Sequence, residues 1–349
     1  NINGTKISYD EETYISDLLT EHAVEWLAST ARDKPFFMYL SHKAVHSEFA
    51  PATRHLGDYQ EQDVVYPPSY DPTSNNGSDL ERTAPDDSPP SGRDYYGDRL
   101  LPDWVKAQRE SWHGVDYMYH GRIDFEDFFH RYTETLKGVD DSVGAVLDFL
   151  DKNKLAEDTL VIYMGDNGFS FGEHGLIDKR HFYEESAKVP LLVRWPTRLE
   201  GGAPINALIQ NIDIAPTILD VAGLGAPAHM QGMSIVPLLE RTAADWRDRV
   251  FYEYYWEMDF PQTPTMFGVR TERYKYIRYH GIWDTNEFYD LSQDPNEMRN
   301  LIDAPEHQDR IQNFANDIYK WLEDTDGLQI PLKNVVRPKF GDHRNQGVL

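Results

Sequence analysis

The sequence predicts an α/β protein: helices layered around a mostly parallel or mixed sheet, followed by a small antiparallel α+β subdomain. Three observations carry this. Short apolar runs rich in β-branched and aromatic residues, at 36–40, 160–164 and 189–195, alternate with stretches whose apolar residues recur at helical spacing. Polar clusters follow directly on the ends of those runs, which is where open α/β sheets keep their chemistry. After Glu240 the texture changes to aromatic-rich, strand-sized segments separated by turn residues. A chain of 349 residues exceeds what one core usually organises, so the expected division is 1–240 and 241–349, with a loop-rich insertion at about 57–120.

Residues 10–30 read as a helix, with Ile15, Leu18, Leu19, Ala23 and Leu27 on one stripe. A buried strand is expected at 34–40. The stretch 66–95 is dense in Pro, Ser, Asp and Gly and reads as an exposed loop. Between 102 and 120, Trp104, Trp112, Tyr117 and Tyr119 stand among charges, which suits packing of the insertion or the edge of a sugar pocket. A helix at 125–151 carries Leu136, Val139, Val143, Val146, Leu147 and Leu150 on one face, with Asp140 and Asp141 on its polar side. Strands buried on both faces follow at 160–164 and 189–195, and Asp213 is placed to cap a helix begun near Pro216. Strands at 250–256, 266–270 and 274–279, with Arg273 and Lys275 at turns, and a helix at 311–323 complete the order.

The net charge of −25 argues against nucleic acid as a partner, because binding phosphate backbones needs a basic surface. It also repels polyanions at long range, so an anionic substrate needs local cations. The longest apolar runs are strand-sized and predict no membrane helix. Zero cysteines exclude disulfides and zinc–thiolate sites.

Chemistry concentrates after two strand ends. Gly165 and Gly168 bracket a turn that presents Asp166 and Asn167. A carboxylate beside a carboxamide offers only oxygens, which suits calcium or magnesium, although Asp-Asn-Gly is also a common turn. Lys179 follows in the next loop with Arg180 and His181. A lysine beside an oxygen-bound cation makes a pocket for a tetrahedral oxyanion, whereas the bland reading of Lys179 is a solvated loop lysine. After residues 34–40 come His42, Lys43 and His46, which can donate to an anion and exchange a proton near neutral pH. Lys43 and His181 are candidate substrate contacts.

These motifs together resemble the type I, formylglycine-dependent sulfatases of the alkaline-phosphatase-like superfamily. The resemblance rests on His42-Lys-Ala-Val-His46, Val139-Asp-Asp-Ser-Val-Gly144, Asp166-Asn-Gly168, Gly172-Glu-His-Gly175 with Lys179, Tyr183-Glu-Glu-Ser186, Asn211-Ile-Asp-Ile-Ala-Pro-Thr217 and Met230-Gln-Gly232. It continues through Arg273-Tyr-Lys-Tyr-Ile-Arg278 and Glu287-Phe-Tyr-Asp-Leu291 with Asp294-Pro295, Glu297 and Asn300-Leu301. It implies that Asp166 and Asn167 are two ligands of a divalent metal, usually calcium. It further implies that His46 contacts the sulfate and the nucleophile, that Lys179 binds a sulfate oxygen beside the leaving group, and that the substrate is a sulfated carbohydrate. Trp256, His280 and Trp283 become candidate sugar contacts, and a periplasmic or secreted setting is implied.

The family's opening aspartate pair and its Cys (or Ser)-x-Pro-Ser-Arg motif, whose first residue becomes formylglycine, have no counterpart here. Ser88-Pro-Pro-Ser-Gly-Arg93 has one residue too many and follows His46, so it reads as a decoy. The chain therefore looks like the part downstream of the nucleophile motif, and alone it is expected to bind metal poorly and turn over little. Two readings stand beside the sulfatase: a phosphodiesterase or phosphonate hydrolase of the same superfamily, and an inactive fragment or pseudoenzyme. The first often places histidine where Asn167 stands, so Asn167 favours the sulfatase.

Overall fold

A computed structural model describes residues 3–10, 12–30, 33–46, 49–70, 99–118, 123–202 and 204–329. The helices are α1 (Ile15–Ser29), α2 (Asp103–Gln108), α3 (Phe125–Lys152), α4 (Glu184–Ala187), α5 (Ile214–Val221), α6 (Val236–Leu239) and α7 (Gln308–Asp324). The strands are β1 (Val161–Met164), β2 (Leu191–Arg194), β3 (Arg249–Tyr254), β4 (Thr265–Thr271), β5 (Tyr274–His280) and β6 (Glu287–Asp290). By contact the chain forms two compact units, one of residues 1–64 with 123–160, the other of 65–122 with 161–333, over their described parts.

In the first unit α1 packs on α3. The long helix begins where Asp124 accepts hydrogen bonds from the backbone N–H of Glu126 and Asp127 at 2.9 and 3.2 Å, a side-chain N-cap. Gly138 lets the helices close, since a Cβ there would stand 2.8 Å from the Tyr14 hydroxyl. Ala23 and Leu27 are buried as the periodicity requires, whereas Ile15 is exposed at the first turn. The helix starts at Ile15 instead of Asp10 because Asp10 closes a turn: the Thr13 hydroxyl donates to its carboxylate at 2.5 Å. The expected strand at 34–40 is corrected. The segment forms no strand and pairs with none among the described residues, and Phe37 and Tyr39 are 63% and 83% exposed. A strand exists only with a partner ladder, which an apolar run cannot disclose.

In the second unit β1 and β2 pair antiparallel, with Val161 opposite Arg194 and Met164 opposite Leu191. All four residues of β1 are half-buried and Leu192 is 65% exposed, so neither strand has the two covered faces expected of it. The sheet β3-β4-β5-β6 is an antiparallel meander. Alternation divides its side chains between two cores. Phe267, Val269, Tyr276 and Phe288 meet Ile311, Phe314, Ile318 and Leu322 of α7. On the opposite face Met266, Ile277, Tyr279 and Tyr289 pack with Trp104, Val105, Leu176, Phe182 and Tyr183, so this sheet backs the loops that follow β1. Gly268 is required there, because a Cβ would meet the Phe182 ring at 2.2 Å.

Two expectations fail in detail. Asp213 does not cap α5 through its side chain: the buried carboxylate accepts from Arg247 at 2.5 and 2.7 Å and from the N–H of Gln210 and Met233 at 2.8 Å. Lys275, expected at a turn, lies inside β5 and is fully buried. No helix among the described residues is long and apolar enough to cross a membrane.

Candidate active site

The second unit builds a polar site where β1 ends. The Gly165 N–H donates to Pro190 O at 3.3 Å and the Gly168 N–H to Ser186 O at 2.8 Å, which fixes the turn against the chain leading into β2. Gly168 tolerates no side chain, since a Cβ would stand 1.9 Å from Glu185 O. Asp166 and Asn167 are both exposed on this turn. The Asn167 amide nitrogen donates to Gly168 O at 2.7 Å, which turns Oδ1 outward, and Lys179 Nζ donates to that oxygen at 3.3 Å. Asp166, Asn167 and Lys179 are thus brought together.

Lys179 is held through its backbone. Its N–H donates to Asp178 Oδ1 at 2.8 Å and its carbonyl accepts from the Ser186 hydroxyl at 2.5 Å. Asp178 organises this loop, a role that spacing alone did not indicate. Its carboxylate is buried, and it also accepts from Gln108 Nε2 at 2.8 Å and Arg180 Nη1 at 2.6 Å. Burial pushes this carboxyl up, but His113, Arg180 and His181 outweigh burial and hold it below the ordinary value.

His181 is buried, with Nε2 3.1 Å from the Ser170 hydroxyl, and burial pushes its pKa down to about 4. It is an interior ring, 1% exposed. Behind the loop, Lys275 Nζ donates to Phe182 O at 2.7 Å and forms ion pairs at 2.7 Å with both Glu184 Oε1 and Glu297 Oε1. Burial opposes ionisation of Glu184, yet Lys275 and Arg270 take it to about 2. Arg270 grips the same carboxylate at 2.9 and 3.0 Å. Glu287 nearby accepts from the hydroxyls of Tyr183, Tyr279 and Tyr289, and burial raises it to about 7. Lys275, Glu184, Glu287 and Glu297 all stand in the quoted motifs, but their charge gave no signal of burial.

In the first unit, Lys43 and His46 are exposed and the His46 N–H donates to Lys43 O at 2.9 Å. His42 Nε2 lies 2.8 Å from the Ser142 hydroxyl, and burial lowers its pKa. Asp141 of α3 is engaged by Arg54 and His55. Of the candidate sugar contacts, Trp256 is half-exposed and donates to Pro261 O at 3.2 Å, and Trp283 is fully exposed. The segment Ser88-Pro-Pro-Ser-Gly-Arg93 lies outside the described residues.

The donor set suits a hard cation in part. Asn167 Oδ1 and the Asp166 carboxylate offer only oxygens, yet calcium takes six to eight. Among the described residues no group of three or more His, Cys, Asp or Glu is placed to hold a metal.

The sulfatase family model matches residues 2–224, and a model of the C-terminal part of N-sulphoglucosamine sulphohydrolase matches 172–324. The chain belongs to the sulfatase family. An N-acetylglucosamine-6-O-sulfatase of Bacteroides thetaiotaomicron is 30% identical over 359 aligned positions, covering 90% of this chain and 63% of that protein. The chain therefore spans less than two thirds of that relative's length. A solved structure of a protein in complex with its substrate D-glucosamine-2-N,6-O-disulfate is 26% identical, with a TM-score of 0.76 over 94% of this chain and 72% of the other. A phosphonate monoester hydrolase of Agrobacterium radiobacter shares the fold at 19% identity and a TM-score of 0.63, over 92% of this chain and 63% of that one. The fold is that of this sulfatase superfamily, with the antiparallel C-terminal sheet the sequence predicts. Membership generally implies use of a metal and of formylglycine.

Proposed function

We propose that the full-length protein is a sulfuric ester hydrolase acting on a sulfated amino sugar, with 6-O-sulfated glucosamine as the first substrate to try. The observation that carries this is Lys179 Nζ at 3.3 Å from Asn167 Oδ1, beside Asp166. A fixed ammonium next to an oxygen-only donor pair is a receptor for a tetrahedral oxyanion. The relatives supply the sugar: one is named an N-acetylglucosamine-6-O-sulfatase and another was solved with a disulfated glucosamine.

In this reading Asp166 and Asn167 contribute two oxygens to calcium, or to magnesium, and further ligands complete the shell. A cation bound there supplies positive charge to the sulfate oxygens. Lys179 would bind a sulfate oxygen beside the leaving sugar oxygen and offset the negative charge that develops there, and the clamp from Asp178 and Ser186 holds its backbone in place. His46 and Lys43 enter by resemblance, His46 as a proton-exchanging contact and Lys43 as a substrate contact. His181 serves the loop from inside.

The test is sulfate release by the full-length, formylglycine-bearing protein from glucosamine-6-sulfate, an aryl sulfate and a phosphonate monoester. Sulfate release that stops with a calcium chelator and returns with calcium supports the reading. Hydrolysis of the phosphonate without the sulfates would transfer it to the phosphonate hydrolases, whose fold this chain shares.

A further inference from the structure

Arg180 follows the candidate sulfate lysine directly and is clamped from two sides. Its Nη1 donates to Asp178 Oδ1 at 2.6 Å, the same oxygen that takes the Lys179 N–H at 2.8 Å. Its guanidinium carbon stands 3.2 Å from the centroid of the Phe260 ring, and that ring stacks on His113 at 5.4 Å and 24°. Burial lowers the His113 pKa. The guanidinium plane is therefore set before any ligand arrives, which removes most of the ordering cost of using it.

Balancing Asp178 does not use up this group. Asp178 already receives Gln108 Nε2 and the Lys179 N–H, and it engages one nitrogen of the guanidinium. Nε and Nη2 of Arg180 have no hydrogen-bond partner among the described residues, and the side chain is 17% exposed. A planar fork with free donors recognises a planar or tetrahedral oxyanion by two parallel hydrogen bonds. On a chain of net charge −25, such a fixed cation is also what a polyanionic substrate needs locally.

We infer that Arg180 recognises a second oxyanion of the substrate, a sulfate or carboxylate other than the scissile sulfate, on the same sugar or its neighbour. This rests on the amino-sugar sulfatase reading and narrows it: Lys179 serves the reacting group and Arg180 a group that stays behind. Arg180 is a specificity-determining residue in this account.

The test compares the full-length wild type with Arg180→Lys on three substrates: glucosamine-6-O-sulfate, glucosamine-2-N,6-O-disulfate and a uronate-linked 6-O-sulfated disaccharide. Lysine keeps a charge against Asp178 but loses the fork, and an unchanged denaturation midpoint confirms that the variant is folded. The wild type is expected to favour one doubly anionic substrate, and Arg180→Lys to cut that preference about tenfold, mainly through KM. Which preference falls tells whether the second group is a sulfate or a carboxylate. Equal losses on all three substrates, or preserved preferences, would overturn the role of Arg180. A wild type that releases sulfate from none of them would instead overturn the amino-sugar reading beneath it.

Discussion

Two lysines, ninety-six positions apart in one unit, show what separates a site from the frame behind it. Lys179 is half-buried on a loop, touches one carboxamide oxygen at 3.3 Å and is held in place by its backbone. Lys275 is fully buried inside β5 and lies 2.7 Å from each of three oxygens, of Phe182, Glu184 and Glu297. The buried ammonium faces two carboxylates and a carbonyl and is closed off from any ligand. The loop ammonium keeps most of its donors, and its neighbours have already paid the entropy of positioning it. Lys275 should therefore matter to stability, and Lys179 to turnover.

The largest expected effect is on stability. Lys275→Met leaves Glu184 and Glu297 buried without their shared partner, so it should cost about 3–5 kcal/mol, read as a lower urea midpoint at unchanged slope. A loss below about 1 kcal/mol would mean that Arg270 alone satisfies Glu184, and the contrast between the lysines would collapse.

Lys179→Ala should do the reverse. With Lys179 at the sulfate as proposed, removing its charge should lower kcat by roughly 10²–10³, whereas loss of a half-exposed loop side chain should move stability by less than about 0.5 kcal/mol. Unchanged turnover would remove Lys179 from the site, and a matching fall in stability would make it a second Lys275.

The frame should also carry a pH signature. Burial raises Glu287 from 4.5 to about 7, so its stabilising, protonated form is fully present below pH 4.5 and lost as pH rises through about 7. Glu184 works oppositely: held at about 2, it stabilises above pH 4.5 and loses that contribution as pH falls toward 2. Stability should therefore peak between roughly pH 4.5 and 7. Glu287→Gln, which mimics the protonated carboxyl, should make the alkaline limb shallower by an amount on the order of 3 kcal/mol between pH 5 and 8, the remainder belonging to Glu185 and Glu297, which burial also raises to about 7. Parallel pH profiles for variant and wild type would place the titrating group elsewhere.

The same contrast explains what was legible in the sequence. Asp166, Asn167 and Lys179 could be read because their signals are local: a strand end, two glycines and a lysine in the next loop. Helices α3 and α7 were legible by periodicity, and both run within three residues of expectation at each end. Lys275 was misread as a turn residue because a charged residue in an alternating strand signals solvent unless its partners are known, and those partners come from 184 and 297. Asp178 was overlooked because its task, gathering Gln108, Lys179 and Arg180, depends on a helix seventy positions away. Residues 34–40 have the composition of a strand, but composition reports propensity, whereas a ladder needs a second chain segment.

The smallest expected effect sharpens the comparison most. Arg54, in the other unit, also joins two carboxylates: it donates to Asp17 at 2.7 and 2.8 Å and to Asp141 at 2.7 Å, hydrogen bonds that raise its pKa. By contact geometry it matches Lys275. The difference is water, since Arg54, Asp17 and Asp141 are 44%, 41% and 44% exposed. Exposed carboxylates freed by Arg54→Ala are resolvated instead of stranded, and salt screens what attraction remains. The loss should be at most about 1 kcal/mol at low ionic strength and shrink further in 0.5 M sodium chloride, whereas the loss at Lys275 should persist in salt. Two-carboxylate partnerships of similar length would then differ severalfold in free energy through burial alone. If Arg54→Ala cost as much as Lys275→Met, and salt changed neither, burial would not be what separates the two regions.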